Sequence, residues 1–270
     1  MSTGTAIPLG LHSVPDSPVP GLAVAERRVA GPLATIICVH GGLDRGGSFA
    51  RLARRTEAFD LIAYDRRGYQ GSRSLQPLSL ENDTDDLLSI ARRESSTGPV
   101  IFFGHSFGGV VTFKAALRKP SLVQLVVNYE SPLPWVLHRE IGRSALSTDA
   151  EDEAERFFRR MVSDNAWERL SEHERQSRRL DGPALLSDLR QLRSGEPLFD
   201  LAELATPALY VHGDTNIPEY YRALCAVLES INPLITTREM KKAGHGAHLS
   251  NPDQLASLIF QTWEQLCESA

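Results

Sequence analysis

The chain has 270 residues, of which 41% are hydrophobic and 23% are charged, and its formal net charge is −5. A chain of this length and composition can bury a sizeable core, so we expect a globular protein built on one large domain. The chain has no basic block and no basic stripe between aromatic residues, which argues against binding to nucleic acid. We therefore expect a small molecule as the partner.

The cysteines and the N-terminal segment indicate where the protein works. Cys38, Cys225 and Cys267 are far apart, and none stands in a CxxC or CxxH spacing, so neither a disulfide framework nor a structural zinc site is predicted. Residues 1–21 lack the basic and apolar regions of a signal peptide, and no later segment is long enough to span a bilayer. We expect a cytoplasmic protein that does not bind membranes.

Apolar, β-rich segments alternate along the chain with helix-compatible segments. The predicted strands are residues 34–40, 59–65, 99–105, 122–130 and 208–214, and the predicted helices are residues 48–57, 81–94, 108–118 and 252–267. Near-continuous apolar runs are typical of strands that are buried on both faces. The alternation predicts an α/β fold in which a mostly parallel twisted sheet has helices on both faces. Polar residues follow these strands, at the sheet edge where open α/β folds bind ligands.

Residues 133–201 differ in character from the rest of the chain. They are rich in charged, helix-favouring residues and contain no strand-like run. A broken apolar stripe follows the helical period through them, formed by Phe157, Phe158, Met161, Trp167 and Leu170. We interpret this segment as a helical cap over the strand ends, with the core formed by residues 1–132 and 202–270.

A serine stands between glycines at the end of the third predicted strand, in Gly104-His105-Ser106-Phe107-Gly108. A turn that lifts a hydroxyl above the sheet needs strained backbone angles and a close approach of neighbouring chain, which glycine permits. The helix that follows directs free N–H groups at the hydroxyl, where they would stabilise negative charge on an acyl oxygen. The pattern predicts a nucleophile elbow. A serine that only caps the helix is the alternative interpretation of this pentapeptide.

Three further segments occur in a characteristic order around this serine: CVHGGLDRGGSF, YDRRGYQGS and AGHGAHLSNPD. On these motifs the chain, from about residue 33 to its C-terminus, resembles the α/β-hydrolase family. The resemblance implies an eight-stranded core with a cap inserted after the sixth strand. It also implies that Ser106 is the nucleophile and that the backbone N–H groups of Gly42 and Phe107 form the oxyanion hole. His245 stands at the family's position for the general base, and His248 is the competing candidate.

The acid of the catalytic triad is where the sequence departs from the family. The usual position lies three residues after the glycine that ends the seventh strand, and Asn216 occupies it here. An amide can orient an imidazole but cannot balance the charge of an imidazolium. Glu130, at the end of the sixth strand, occupies a position that some family members use for the acid, and Asp214 is the second candidate. A triad without an acid is the third alternative.

A serine nucleophile, a histidine base and an oxyanion hole together catalyse acyl transfer. We therefore predict hydrolysis of a small or medium, partly hydrophobic carboxylic ester or thioester through an acyl-serine intermediate. Cleavage of a C–C bond by a hydrolase or lyase with the same triad, and ligand binding without turnover, are the alternatives. No metal ion or organic cofactor is implied. The candidate residues for lining the substrate pocket are Phe49, Phe107, Tyr129, Trp135 and Trp167.

Overall fold

The computed structural model describes residues 10–76, 78–137 and 145–269, and within them eight strands form one sheet. The strands are β1 (His12–Val14), β2 (Val24–Arg27), β3 (Thr35–Val39), β4 (Asp60–Tyr64), β5 (Val100–His105), β6 (Leu125–Tyr129), β7 (Ala208–Gly213) and β8 (Ile235–Met240). Their spatial order is β1-β2-β4-β3-β5-β6-β7-β8. β2 pairs antiparallel with β1 and β4, and the remaining pairs are parallel. The prediction of a mostly parallel sheet is confirmed.

The helices of the described residues pack on both faces of the sheet or lie between β6 and β7 in the chain. They are α1 (Ala50–Ala53), α2 (Leu80–Glu94), α3 (Phe107–Arg118), α4 (Ala150–Met161), α5 (Asp164–Arg169), α6 (Glu172–Leu180), α7 (Gly182–Leu192), α8 (Pro218–Ile231), α9 (Ala247–Ser250) and α10 (Pro252–Glu268). None of them is both long and apolar enough to cross a membrane.

The sheet separates two hydrophobic cores because successive side chains of a strand point to opposite faces. In β3, Ile37 and Val39 join the core formed with α2, α3 and α8. Ile36 and Cys38 join the second core, which α1 and α10 complete. Burial on both faces explains the continuous apolar runs from which these strands were predicted.

The strands that the sequence analysis missed are β1, β2 and β8. All three lie toward the two edges of the sheet. In β8, Thr236 and Arg238 are exposed, and only the end residues Ile235 and Met240 are buried. A strand that buries so little of its surface carries no apolar run, so its composition resembles that of a loop.

The helices α4 to α7 form a small core of their own, which includes Phe158, Trp167 and Leu185 and also contacts Leu43 from the loop after β3. They follow β6 and precede β7, which is where the insertion was predicted. Part of the predicted cap, residues 138–144, lies outside the described residues. The division into a core and a cap stays a prediction.

Candidate active site

Ser106 lies between β5 and α3 with a φ of 53° and a ψ of −127°. A non-glycine residue with these angles stores about 1–3 kcal/mol of strain, which the surrounding structure must enforce. A Cβ atom on Gly104 would lie 2.4 Å from the Cα of Gly109, and one on Gly108 would lie 2.0 Å from the carbonyl oxygen of Val39. The turn can form only because glycines flank the serine, and it gives Ser106 the strand-turn-helix setting of a nucleophile elbow.

His245 follows β8 and meets Glu130, which follows β6. The Nδ1 atom of His245 is 2.7 Å from Oε2 of Glu130. Glu130 is fully buried and has a φ of 46°. Its Oε1 accepts a hydrogen bond of 3.0 Å from the backbone N–H of Gly213, and its Oε2 accepts one of 3.0 Å from Nδ2 of Asn216. A buried carboxylate is costly without such partners, and here both oxygens have them.

Asp214, the second candidate acid, is oriented differently. Its backbone N–H donates to the carbonyl of Met240 over 3.1 Å, and its Oδ1 is buried with no hydrogen-bond partner among the described residues. The described contacts give it none with His245. The carboxylate next to His245 therefore comes from β6, and Asn216, at the usual position of the acid, donates to that carboxylate.

Two side chains hold the loop that carries His245. The hydroxyl of Tyr129 donates to the carbonyl of Gly244 over 2.7 Å, and Nε2 of His105 lies 2.8 Å from the carbonyl oxygen of His245. Burial raises the pKa of Tyr129, and the nearby Glu130 acts in the same direction, so this phenol stays a neutral donor. Tyr129 and His105 therefore hold the backbone of the loop that carries His245.

Ser106 and His245 line the same cavity, whose volume is about 290 Å³. Gly42 and Phe107, the residues predicted to supply the oxyanion hole, line it as well. The other candidate base, His248, is buried and does not line this cavity. Its Nε2 lies 3.4 Å from Oδ2 of Asp44 instead. His245, and not His248, therefore lines the cavity that Ser106 lines.

The wall opposite the elbow comes from α4 and α7. The apolar residues that these helices contribute are Phe157, Met161, Leu185, Leu189 and Leu192, and the polar ones are Arg160 and Asp188. Arg193 lies just after α7 and also lines the cavity. The part of the cavity wall that α4 and α7 form is therefore mostly apolar and carries two charged residues, Arg160 and Asp188.

Of the five aromatic residues predicted to line the pocket, Phe107 lines it and the other four lie elsewhere, so the prediction is wrong for those four. Phe49 belongs to the core on the α10 side of the sheet, where its ring centroid is 5.7 Å from that of Phe103, and Tyr129 lies in the same core. The Trp135 ring stands edge-on to Phe199, with centroids 5.1 Å apart. Trp167 packs on Phe158 inside the inserted helices. Aromatic residues fill a core as readily as a pocket, so composition alone could not separate the two roles.

The comparisons with known proteins identify the family of this chain. The sequence model of the alpha/beta hydrolase family matches residues 36–258. Pimeloyl-[acyl-carrier protein] methyl ester esterase of Serratia marcescens is 25% identical over 241 residues, which cover 83% of this chain and 91% of that protein. The esterase of the same name from Yersinia enterocolitica is 26% identical over 248 residues, which cover 85% of this chain and 93% of that protein.

A solved structure shows the same fold. A thermophilic esterase from Thermogutta terrifontis superposes with a TM-score of 0.67 at 19% identity, and the match covers 95% of this chain and 98% of that one. The family match, the sheet order and the elbow all lead to one assignment. This chain belongs to the alpha/beta hydrolase family, and it is a hydrolase.

Proposed function

We propose that the protein is a serine hydrolase that cleaves a small or medium, partly hydrophobic carboxylic ester or thioester through an acyl-serine intermediate. The observation that carries this proposal is the 2.7 Å hydrogen bond between Glu130 and His245, beside the cavity that Ser106 also lines. A protein that only binds a ligand has no need of a buried carboxylate held against a histidine at a strained serine.

In this mechanism Glu130 accepts the Nδ1 proton of His245, which leaves the lone pair of Nε2 for the serine. Nε2 takes the proton of the Ser106 hydroxyl as Oγ attacks the acyl carbon, and the resulting imidazolium is stabilised by the carboxylate. The backbone N–H groups of Gly42 and Phe107 stabilise the oxyanion. The intermediate collapses when the imidazolium returns its proton to the leaving alcohol or thiol.

Water completes the cycle by the same route. His245 removes a proton from a water molecule as it attacks the acyl-serine, and the second tetrahedral intermediate expels Ser106 Oγ. The carboxylic acid leaves, and the serine regains its proton. Each half of the reaction uses the same base and the same oxyanion donors, so one cavity serves both.

The cavity and the relatives support an ester as the substrate. The mostly apolar wall formed by α4 and α7 suits an acyl chain of modest length. The curated relatives are named for the methyl ester of pimeloyl-[acyl-carrier protein], which favours an ester over a C–C bond as the bond that is cleaved. We place the acyl chain against Leu185 and Leu189.

The test is to remove the nucleophile and the base one at a time. Ser106→Ala and His245→Ala should each lower the hydrolysis of a methyl or nitrophenyl ester by about 10⁴-fold or more, because the residues of a triad act as a unit. A fluorophosphonate probe should label the parent protein and should not label Ser106→Ala.

Ser257→Ala is the matched control, since this serine lies exposed on α10 and does not line the cavity of Ser106. It should retain full activity and full labelling. Ester hydrolysis that persists in Ser106→Ala would contradict the proposal, provided that circular dichroism shows an intact fold.

A further inference from the structure

Three side chains behind His245 converge on a small polar cluster that the proposed reaction does not use. Asp44 lies in the loop after β3, His105 ends β5, and His248 lies in α9. Each offers one ligand atom, and these atoms all lie within 4.8 Å of one another. The side chains of His105 and His248 are only 7% and 2% exposed, and that of Asp44 is 21% exposed. None of the three lines the cavity of Ser106.

The hydrogen bonding of His105 leaves a lone pair that points at a carboxylate. Its Nε2 lies 2.8 Å from the carbonyl oxygen of His245, which can only accept, so Nε2 carries the ring hydrogen. In the neutral ring Nδ1 then carries a lone pair, and it lies 3.7 Å from Oδ2 of Asp44. Nδ1 has no hydrogen-bond partner among the described residues. A buried lone pair that faces an anion is repelled unless a proton or a metal ion lies between them.

His248 faces the same carboxylate oxygen. Its Nε2 is 3.4 Å from Oδ2 of Asp44, and neither of its ring nitrogens has a hydrogen-bond partner among the described residues. Both separations from Asp44 exceed the usual hydrogen-bond range of about 2.7–3.2 Å. Around tetrahedral zinc, bonds of about 2.0–2.2 Å place neighbouring ligand atoms about 3.3–3.6 Å apart. The separation of His248 from Asp44 falls within this range, and that of His105 lies just above it.

We propose that Asp44, His105 and His248 bind a divalent transition-metal ion such as Zn²⁺, through Oδ2, Nδ1 and Nε2. Two imidazoles and one carboxylate are a ligand set that zinc accepts, with water in the fourth position. The exposed part of Asp44 gives that water access. His105 also donates its other ring N–H to a backbone carbonyl, as histidine ligands usually do.

The ion would act on the histidine loop and would not act on the substrate. It would join α9 to the ends of β3 and β5, and through His105 it would hold the carbonyl of His245. We therefore expect metal binding to stabilise the loop that carries the general base, a role that does not depend on which ester the protein hydrolyses.

The test uses tag-free, full-length protein from which metal has been removed with a chelator and dialysis. Titration with Co²⁺ should show one equivalent bound, with the visible absorption of four-coordinate cobalt. Zn²⁺ should displace it and should raise the melting temperature of the protein. Asp44→Asn and His248→Gln should each weaken the binding of both ions by about 100-fold or more.

His173→Gln is the matched control, because this histidine is exposed on α6, and it should leave metal binding unchanged. Circular dichroism monitors the fold of every variant, and His248→Gln decides the question alone if Asp44→Asn does not fold. The proposal is overturned if no equivalent binds at millimolar Co²⁺, or if binding is unchanged in His248→Gln. The cluster would then share a proton and hold no metal ion.

Discussion

The carboxylate of Glu130 accepts hydrogen bonds from three directions. The backbone N–H of Gly213 donates to Oε1, while Nδ2 of Asn216 and Nδ1 of His245 both contact Oε2. These donors replace the water that a fully buried carboxylate has lost, and they fix its position relative to the imidazole ring. In the proposed reaction, Glu130 would therefore orient His245 without moving.

The first prediction compares the two candidate acids. Glu130→Gln should lower kcat by about 10³–10⁴-fold with little change in KM, because a neutral amide cannot stabilise the imidazolium. Asp214→Asn should lower kcat by less than about 10-fold, since the described contacts do not join Asp214 to His245. Steady-state kinetics on one ester substrate measures both values. Equal losses in the two variants would mean that Asp214 shares the role.

The second prediction moves the acid from one strand end to the other. Nδ2 of Asn216 and Nδ1 of His245 both contact Oε2 of Glu130, at 3.0 Å and 2.7 Å, so position 216 is close to the histidine. The double variant Glu130→Gln/Asn216→Asp should therefore have a kcat at least about 10-fold higher than that of Glu130→Gln alone. The control, Glu130→Gln/Asn216→Ala, should show no such increase. If the two double variants are equally inactive, an aspartate at position 216 cannot reach the ring.

At the scale of elements, the strands and the inserted helices contribute different parts of the site. The ends of β5 and β6 and the loop after β8 carry Ser106, Glu130 and His245. α4 and α7 supply the apolar wall of the cavity. Because chemistry and lining come from separate elements, a change in the helices should alter which acyl chain is accepted and leave the reaction intact.

The third prediction concerns this wall. Leu189→Ala removes a side chain that lines the cavity, so the preferred acyl chain should lengthen by about two or three carbon atoms. The ratio of kcat/KM values across a series of methyl esters measures the shift. Leu186→Ala, on the same helix but outside the cavity lining, is the control. Both truncations should destabilise the fold by about 2–5 kcal/mol, and only the first should change the preference. Identical preferences in the two variants would place the acyl chain elsewhere.

At the scale of the whole molecule, a buried ionic network joins the inserted helices to the sheet. Arg66, in the loop after β4, donates to Asp83 of α2 over 2.7 Å and to Asp188 of α7 over 2.5 Å. The hydroxyl of Tyr69 donates to Asp188 over 2.7 Å. One guanidinium thus faces two buried carboxylates, and Oδ1 of Asp83 has no hydrogen-bond partner among the described residues.

The fourth prediction is that this network makes stability depend on pH. Burial raises the pKa of Asp83 to about 7, and Asp188 acts in the same direction while Arg66 opposes it. The folded protein therefore holds a proton on Asp83 that the unfolded chain, with an aspartate pKa of about 3.9, releases. This contribution is complete below about pH 4 and is lost as the pH rises through about 7.

Urea unfolding at pH 5 and pH 8 measures the effect. The parent should lose about 3 kcal/mol of unfolding free energy from this group between these values, and Asp83→Asn, which mimics the protonated acid, should remove that loss. The comparison of the two proteins isolates Asp83 from all other titrating groups. If the unfolding free energies of the parent and of Asp83→Asn change equally between pH 5 and pH 8, Asp83 is ionised in the folded protein.

The sequence predicted those parts of the molecule whose chemistry is local. Ser106 stands out because strand, glycine and helix patterns meet at it, and the central strands stand out because both their faces are buried. The edge strand β8 was missed because its side chains are mostly solvated. The pairing of Arg66 with Asp188 joins residues 122 positions apart, and no local pattern records it. The residues of α7 that line the cavity were missed for the same reason. The sequence of an amphipathic helix shows which face is apolar, but it does not show what that face contacts.

The tight fit of the elbow determines where this protein can diversify. A side chain on Gly104 or Gly108 would collide with backbone atoms of Gly109 or Val39, and backbone cannot move aside as a flexible side chain can. Random mutagenesis should therefore return inactive protein from these positions whatever the screen. Apart from Asp188, which pairs with Arg66, the residues that α4 and α7 contribute to the cavity wall belong to neither the elbow nor the ionic network, so they can accept many substitutions. A library confined to those helices should yield new specificities at a far higher rate than one confined to the elbow.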